Sequence, residues 1–303
     1  MKKITSIAAL VALGACGGES TSESPAPAPE AAAPAVEAAV APTRSLADIL
    51  AAQPEEAQAR YVYRKPQETL EFFGIEPGMT VVEGLPGGGW YSKILLPFLG
   101  SEGKLIGADY PLRMFEVNPS TSPERLESKK TWVADWTAEA NSWRGDGDAE
   151  IAAFQMAALP DEMKGTADAV LFVRALHNLA RWEEAGGTLT SAATDAYDVL
   201  KPGGIVGVIQ HEARPDMPDD WADGSKGYLK RAFVVEMMEA AGFELVDSSD
   251  MHQNELDQPT TDDIVWRLPP SLATSREDPE LREQLAAIGE SNRMTLVFRK
   301  PDA

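Results

Sequence analysis

A short β-branched run, a glycine loop and an apolar helix follow one another without interruption between Thr80 and Leu99. Thr80-Val81-Val82-Glu83 suits a strand, Pro86-Gly87-Gly88-Gly89 a turn that lets backbone approach a ligand, and Trp90 to Leu99 a helix. Lys104 to Asp109 then predicts a second strand and Ile151 to Phe154 a third. Ala169-Val170-Leu171-Phe172-Val173 is an unbroken apolar run, as expected of a strand covered on both faces. Ile205 to Ile209, Phe243 to Val246 and Met294 to Phe298 complete a set of seven. Helices are predicted at Ser45 to Arg60, Pro66 to Phe73, Leu189 to Leu200 and Tyr228 to Ala241. Strands alternating with helices at this spacing imply an α/β fold: a doubly wound, mostly parallel seven-stranded sheet with an N-terminal helical extension. Such sheets bind ligands at the carboxyl ends of their strands, where the strand order reverses.

The chain ahead of that domain reads differently. Lys2 and Lys3 precede an apolar run from Ile4 to Leu13, too short to span a bilayer and shaped like a secretory signal. It ends in Leu13-Gly14-Ala15-Cys16, which resembles the lipobox of bacterial lipoproteins and implies cleavage before Cys16 and acylation of that residue. Cys16 is the only cysteine, so a disulfide is excluded, and lipidation accounts for it better than redox chemistry. Gly17 to Thr43 holds mostly Ser, Glu, Ala and Pro and cannot bury enough surface to order itself. The expected organisation is a signal peptide over residues 1–15, a lipidated cysteine and tether over 16–43, and a folded domain over 44–303. Such a protein would face the periplasm, held in the membrane through Cys16, with the outer membrane favoured because Gly17 is not a retention residue of the Asp type.

A formal charge of −21 without a cluster of Lys and Arg argues against a nucleic-acid partner. The acidic groups Asp216, Asp219, Asp220, Asp223 and Glu255, Asp257, Asp262, Asp263 are expected to be solvated loops.

Glu83-Gly84-Leu85-Pro86-Gly87-Gly88-Gly89-Trp90-Tyr91 resembles the first motif of the class I S-adenosylmethionine-dependent methyltransferases. It is closer still to a bacterial group of exported predicted methyltransferases with a Pro-Gly-Gly-Gly-Trp-Tyr loop. Tyr63-Arg64-Lys65-Pro66, Arg174-Ala175-Leu176-His177-Asn178-Leu179, Leu200-Lys201-Pro202-Gly203-Gly204, Ala240-Ala241-Gly242-Phe243 and Phe298-Arg299-Lys300-Pro301 follow in the matching order. The resemblance implies a Rossmann-like methyltransferase fold and S-adenosyl-L-methionine as cofactor. It implies a cofactor site at Glu83, Gly84, Pro86, Gly87, Gly88 and Gly89, with Glu83 near the methionine part. Asp109 would accept the ribose hydroxyls, and Phe154 and Gln155 would rest near the adenine. One position departs from the pattern: Leu85 stands where the first glycine is usual.

Methyl transfer needs positioning and, for some acceptors, a base. His177 and His211 follow neighbouring strands and could reach one cleft, with Arg174 and Asn178 beside them. Arg174 could bind an anionic substrate or the cofactor carboxylate, or pair with Glu83, and a metal site using both histidines and Glu212 is conceivable. His252 lies in a polar loop and is expected at the surface. Trp132, Trp136 and Trp143 are expected to form a satellite cluster, with an acceptor pocket the alternative. Two functions stay open: an exported methyltransferase for a small-molecule or envelope substrate, and a tethered binding or scaffold protein that has kept the fold and lost catalysis. Glu83 and Asp109 favour the first. Leu85, and export away from the cytosol where the cofactor is made, favour the second.

Overall fold

The structure, a computed structural model, describes residues 44–302, so the signal, Cys16 and the tether lie outside the described residues. Strands β1 (Thr80–Gly84), β2 (Lys104–Asp109), β3 (Glu150–Gln155), β4 (Ala167–Val173), β5 (Leu200–Ala213), β6 (Leu229–Lys230), β7 (Glu244–Ser249) and β8 (Arg293–Arg299) follow in chain order. The sheet runs β3-β2-β1-β4-β5-β8-β7, with the two-residue β6 paired to β5. The pairings from β3 through β5 are parallel, while β8 lies antiparallel between β5 and β7. This is the doubly wound, Rossmann-like arrangement of the class I methyltransferase fold, and its order reverses between β1 and β4.

Successive side chains of each central strand feed opposite layers. Val81, Leu105 and Leu171 pack with Ile94, Leu95 and Leu70 on one face. Val82, Ile106 and Phe172 pack with Leu176, Leu189 and Val234 on the other. Each such burial contributes about 1.5–3 kcal/mol. Trp136 lies flat against Gly107 of β2, where an added Cβ would come within 2.5 Å of the ring. The tryptophans 132, 136 and 143 form one stacked and edge-on cluster against this layer, away from the cleft described below.

Several boundaries differ from expectation. The single helix expected from Ser45 to Arg60 is two short ones, Leu46–Ala51 and Glu55–Gln58, because Pro54 has no N–H to continue the first, and a third, Tyr61–Arg64, follows beyond it. Ser45 does cap, accepting the Asp48 N–H at 3.2 Å. The helix after the glycine loop begins at Ser92 rather than Trp90. His252 is 3% exposed, not at the surface, because its ring bonds Thr295 Oγ1 through Nδ1 and the Arg64 carbonyl through Nε2. Asp257 likewise leaves the expected solvated loop: it is buried, accepts from Tyr228 and the Asn292 N–H, and pairs with Arg267 at 2.7 Å.

Candidate active site

At the reversal between β1 and β4 lies a cleft of about 600 Å³. Its floor is the carboxyl ends of β1, β4 and β5; its walls are the N-terminal helices and the segments around Trp266 and Glu290. Leu85, Pro86, Gly87 and Gly88 line it from the first strand, Arg174, His177 and Asn178 from the fourth, and His211 from the fifth.

The corner after β1 explains the departure at Leu85. That residue adopts φ +56°, the left-handed conformation that glycine supplies without strain. Leu85 therefore holds the expected backbone shape at a cost of order 1–3 kcal/mol, partly offset by packing against the core. Its N–H donates to Ala108 O at 2.7 Å and that of Gly89 to Pro86 O, while the N–H groups of Gly87 and Gly88, which line the cleft, have no acceptor among the described residues. Gly84 has no room for a side chain, since a Cβ there would meet Phe172 at 2.5 Å. Gly89 points away, against Trp143.

Glu83 lies beneath this loop rather than in the cleft. It is buried and accepts a 2.5 Å hydrogen bond from Ser92. Burial pushes its carboxyl up to about 8, against that bond, so it is largely protonated at neutral pH. It does not pair with Arg174.

Arg174 ends β4 in a second left-handed corner, φ +56°, with its N–H donating to Ile209 O at 2.6 Å. Around it gather Arg60, Arg64, Arg293 and one carboxylate, Glu290. Glu290 receives Arg60 on Oε1 and Arg293 on Oε2 at 3.1 Å, while Arg64 stays 3.5 Å away and stacks over Trp90. Burial works against ionisation of Glu290, but Arg293, Arg64, Arg174 and the Arg60 hydrogen bond outweigh it and hold the carboxyl below its usual range. Burial lowers Arg64 to about 9 and Arg293 to about 10, with Arg174 adding repulsion in both.

The histidines meet as expected, with ring centroids 5.1 Å apart. Gln210 fixes the tautomer of His177. Its amide nitrogen donates to His211 O and Gly227 O, so its oxygen is the acceptor for the His177 backbone N–H and, at 3.2 Å, for Nδ1–H. The His177 Nε2 lone pair then has no partner among the described residues, and burial lowers the ring to about 4, keeping it neutral. His211 Nδ1 lies 2.6 Å from Ser291 Oγ, and burial keeps that imidazole neutral as well. Glu212 is held by Arg231 instead of joining them, and no group of three metal-binding side chains exists among the described residues.

The β2 and β3 ends are closed. Asp109 is buried and pairs with Lys129, also buried, at 2.6 Å. Burial lifts the Asp109 carboxyl and the Lys129 ammonium pulls it back part of the way. Gln155 donates to Lys129 O, and Phe154 is packed in the core. Sequence reasoning missed Lys129 and the charged neighbours of Arg174. Arg64 was visible within the Tyr63-Arg64-Lys65-Pro66 motif, but Arg60, Arg293 and Glu290 carried no signal of their own.

The sequence matches no family model, and no curated protein matches it significantly. Solved structures with a similar chain path include a SAM-dependent methyltransferase from Aquifex aeolicus, 14% identical, covering 85% of this chain and 99% of that one at a TM-score of 0.46. The [4+2]-cyclase SpnF is 19% identical over 79% of this chain and 81% of its own, at 0.47. The Burkholderia thailandensis 1,6-didemethyltoxoflavin-N1-methyltransferase, with bound S-adenosylhomocysteine, is 13% identical over 86% and 93%, at 0.42.

Proposed function

We propose that this protein is an exported, lipid-anchored methyltransferase that uses S-adenosylmethionine on a small-molecule or envelope substrate. The observation that supports it is the cleft at the strand reversal, where a glycine loop with free N–H groups faces a neutral histidine with an open lone pair. Free backbone donors of that kind suit the cofactor's carboxylate. Outside that cleft, at the closed ends of β2 and β3, the residues fit the adenosyl group in kind: Asp109 for the ribose, with the rings of Tyr110, Phe115 and Trp132 around the Lys129 ammonium beside it. Lys129 occupies that carboxylate, so the ribose would have to displace it.

When bound, the cofactor supplies an activated methyl group on sulfur. His177 Nε2 can take a proton from the acceptor, and Gln210 stabilises the imidazolium that results by accepting from Nδ1. Asn178 at the mouth of the cleft can orient the acceptor. Calorimetric titration of the full-length protein with S-adenosylhomocysteine tests the reading. Micromolar binding is expected; no heat at high micromolar ligand would sink it. For the anchor, Cys16→Ala should abolish incorporation of labelled palmitate, and labelling that persists would remove the anchor from the reading.

The Lys129–Asp109 pair favours a second reading, a methyltransferase-fold lipoprotein that binds a ligand in the cleft without catalysis. The same titration separates the two.

A further inference from the structure

We infer that the cleft binds a second ligand bearing an oxyanion, a carboxylate or phosphate, seated on Arg174 and Arg64 beside His177. This rests on the proposed function only in making that ligand the methyl acceptor; the anion site itself stands on the following geometry.

Four guanidinium groups converge on a single carboxylate. Both oxygens of Glu290 are already engaged by Arg60 and Arg293. Arg293 also donates to Tyr63 O, so those two arginines have structural partners, although Arg293 Nε makes no hydrogen bond of its own. Among the described residues Arg174 has neither a hydrogen-bonded nor an ion-paired partner for its guanidinium, and its buried Nε is left over. Arg64 lies over the Trp90 face and is ion-paired with Glu290 at 3.5 Å, but its Nε makes no hydrogen bond among the described residues. A buried charge without a partner is costly, and most buried polar groups are satisfied. Here the surplus is positive in a chain of formal charge −21, which had many acidic residues available to neutralise it. The strained corner at Arg174 aims a cation into the cleft at further cost. An oxyanion accepting from both arginines would satisfy the site in the bidentate manner that guanidinium favours. It would sit near His177, whose ring already feels the Arg174 charge. The free N–H groups of Gly87 and Gly88 remain for the cofactor's own carboxylate.

The test titrates inorganic phosphate, and separately acetate, into the full-length protein saturated with S-adenosylhomocysteine. At least one anion should bind, and Arg174→Gln or Arg64→Gln should weaken it about 10- to 100-fold, the range for a charged hydrogen bond left unmade. Without anion, Arg174→Gln should be at least as heat-stable as the parent, because it removes an unpaired, half-buried charge. A marked loss of stability would instead mean a structural role, and would overturn the inference. So would failure of both anions to bind, or anion binding that S-adenosylhomocysteine abolishes, which would assign the arginines to the cofactor. If S-adenosylhomocysteine does not bind but the anion does, the methyltransferase reading fails and the anion site stands. Dihexanoyl phosphatidic acid competing far better than phosphate would place the oxyanion on a lipid headgroup; equal competition would place it on a free metabolite.

Discussion

Two stretches of one sheet edge treat their charges in opposite ways. At the ends of β2 and β3, Asp109 meets Lys129, Gln155 meets the backbone of Lys129, and the neighbouring aromatic rings close over the pair. At the ends of β1, β4 and β5, cations outnumber their carboxylate, and among the described residues two guanidinium groups lack hydrogen-bonded partners and the His177 Nε2 has none. The fold is the same, and buried charges stand in both halves, Asp109 and Lys129 in one, Arg64, Arg293 and Glu290 in the other. The difference lies in whether the chain supplies the counter-charge itself or leaves it to a ligand. The closed half resembles a finished core, whereas the open half is complete only with something bound.

The largest effect should come from removing the one carboxylate of the open half. Glu290→Gln leaves Arg60 and Arg293 without their partner and should cost about 3–5 kcal/mol in denaturant unfolding, as breaking a buried pair does. A loss below about 1 kcal/mol would mean that solvent already screens the cluster, and the contrast between the halves would collapse. Next, Lys129→Gln should open the closed half. With Asp109 freed, affinity for S-adenosylhomocysteine should rise about tenfold, an amount worth about 1.4 kcal/mol. Unchanged or weaker binding would show that the pair does not stand in the ribose position.

The smallest effect is in the pH profile, where titrating groups beside the cleft and beneath its loop pull in opposite directions. His177 and His252 titrate near 4 in the fold and His211 well below its usual range, so the unfolded chain takes up protons that the fold refuses. Their contribution falls as pH drops below about 6.5. Glu83, at about 8, holds a proton the unfolded chain has already released, so its contribution falls as pH rises through 8. Three imidazoles outweigh one carboxyl on the acid side, which places maximum thermal stability near pH 6–7, with slopes of about 1.4 kcal/mol per pH unit for each proton. Glu83→Gln should flatten the alkaline limb. A parent protein that gains stability steadily from pH 6 to 9 would contradict the buried, protonated state of Glu83.

The strands, the glycine corner and the meeting of His177 with His211 were legible because each depends on local periodicity or on neighbouring parallel strands. The Arg60–Glu290 contact was not, since it joins residues 230 apart. It exists only because β8 turns back antiparallel against β5, which sets Glu290 and Ser291 over the cleft. Lys129 sits in Pro123–Lys130, a strongly charged helix that reads as a solvated face. Only the closure of that helix over β2 turns one of its lysines inward. His252 and Asp257 illustrate the same limit: a polar residue in a polar segment is buried by partners the segment does not contain.

The sign of the cleft also has a kinetic consequence. A chain of formal charge −21 surrounds this small positive recess, so an anion at a distance is repelled and one at the mouth is attracted. Added salt screens the distant repulsion within about 8–10 Å while touching the buried contacts much less. Association would therefore quicken with ionic strength, the reverse of a basic protein's behaviour towards the same ion. Large polyanions, which feel the whole surface at once, would be turned away before their end groups reached the arginines.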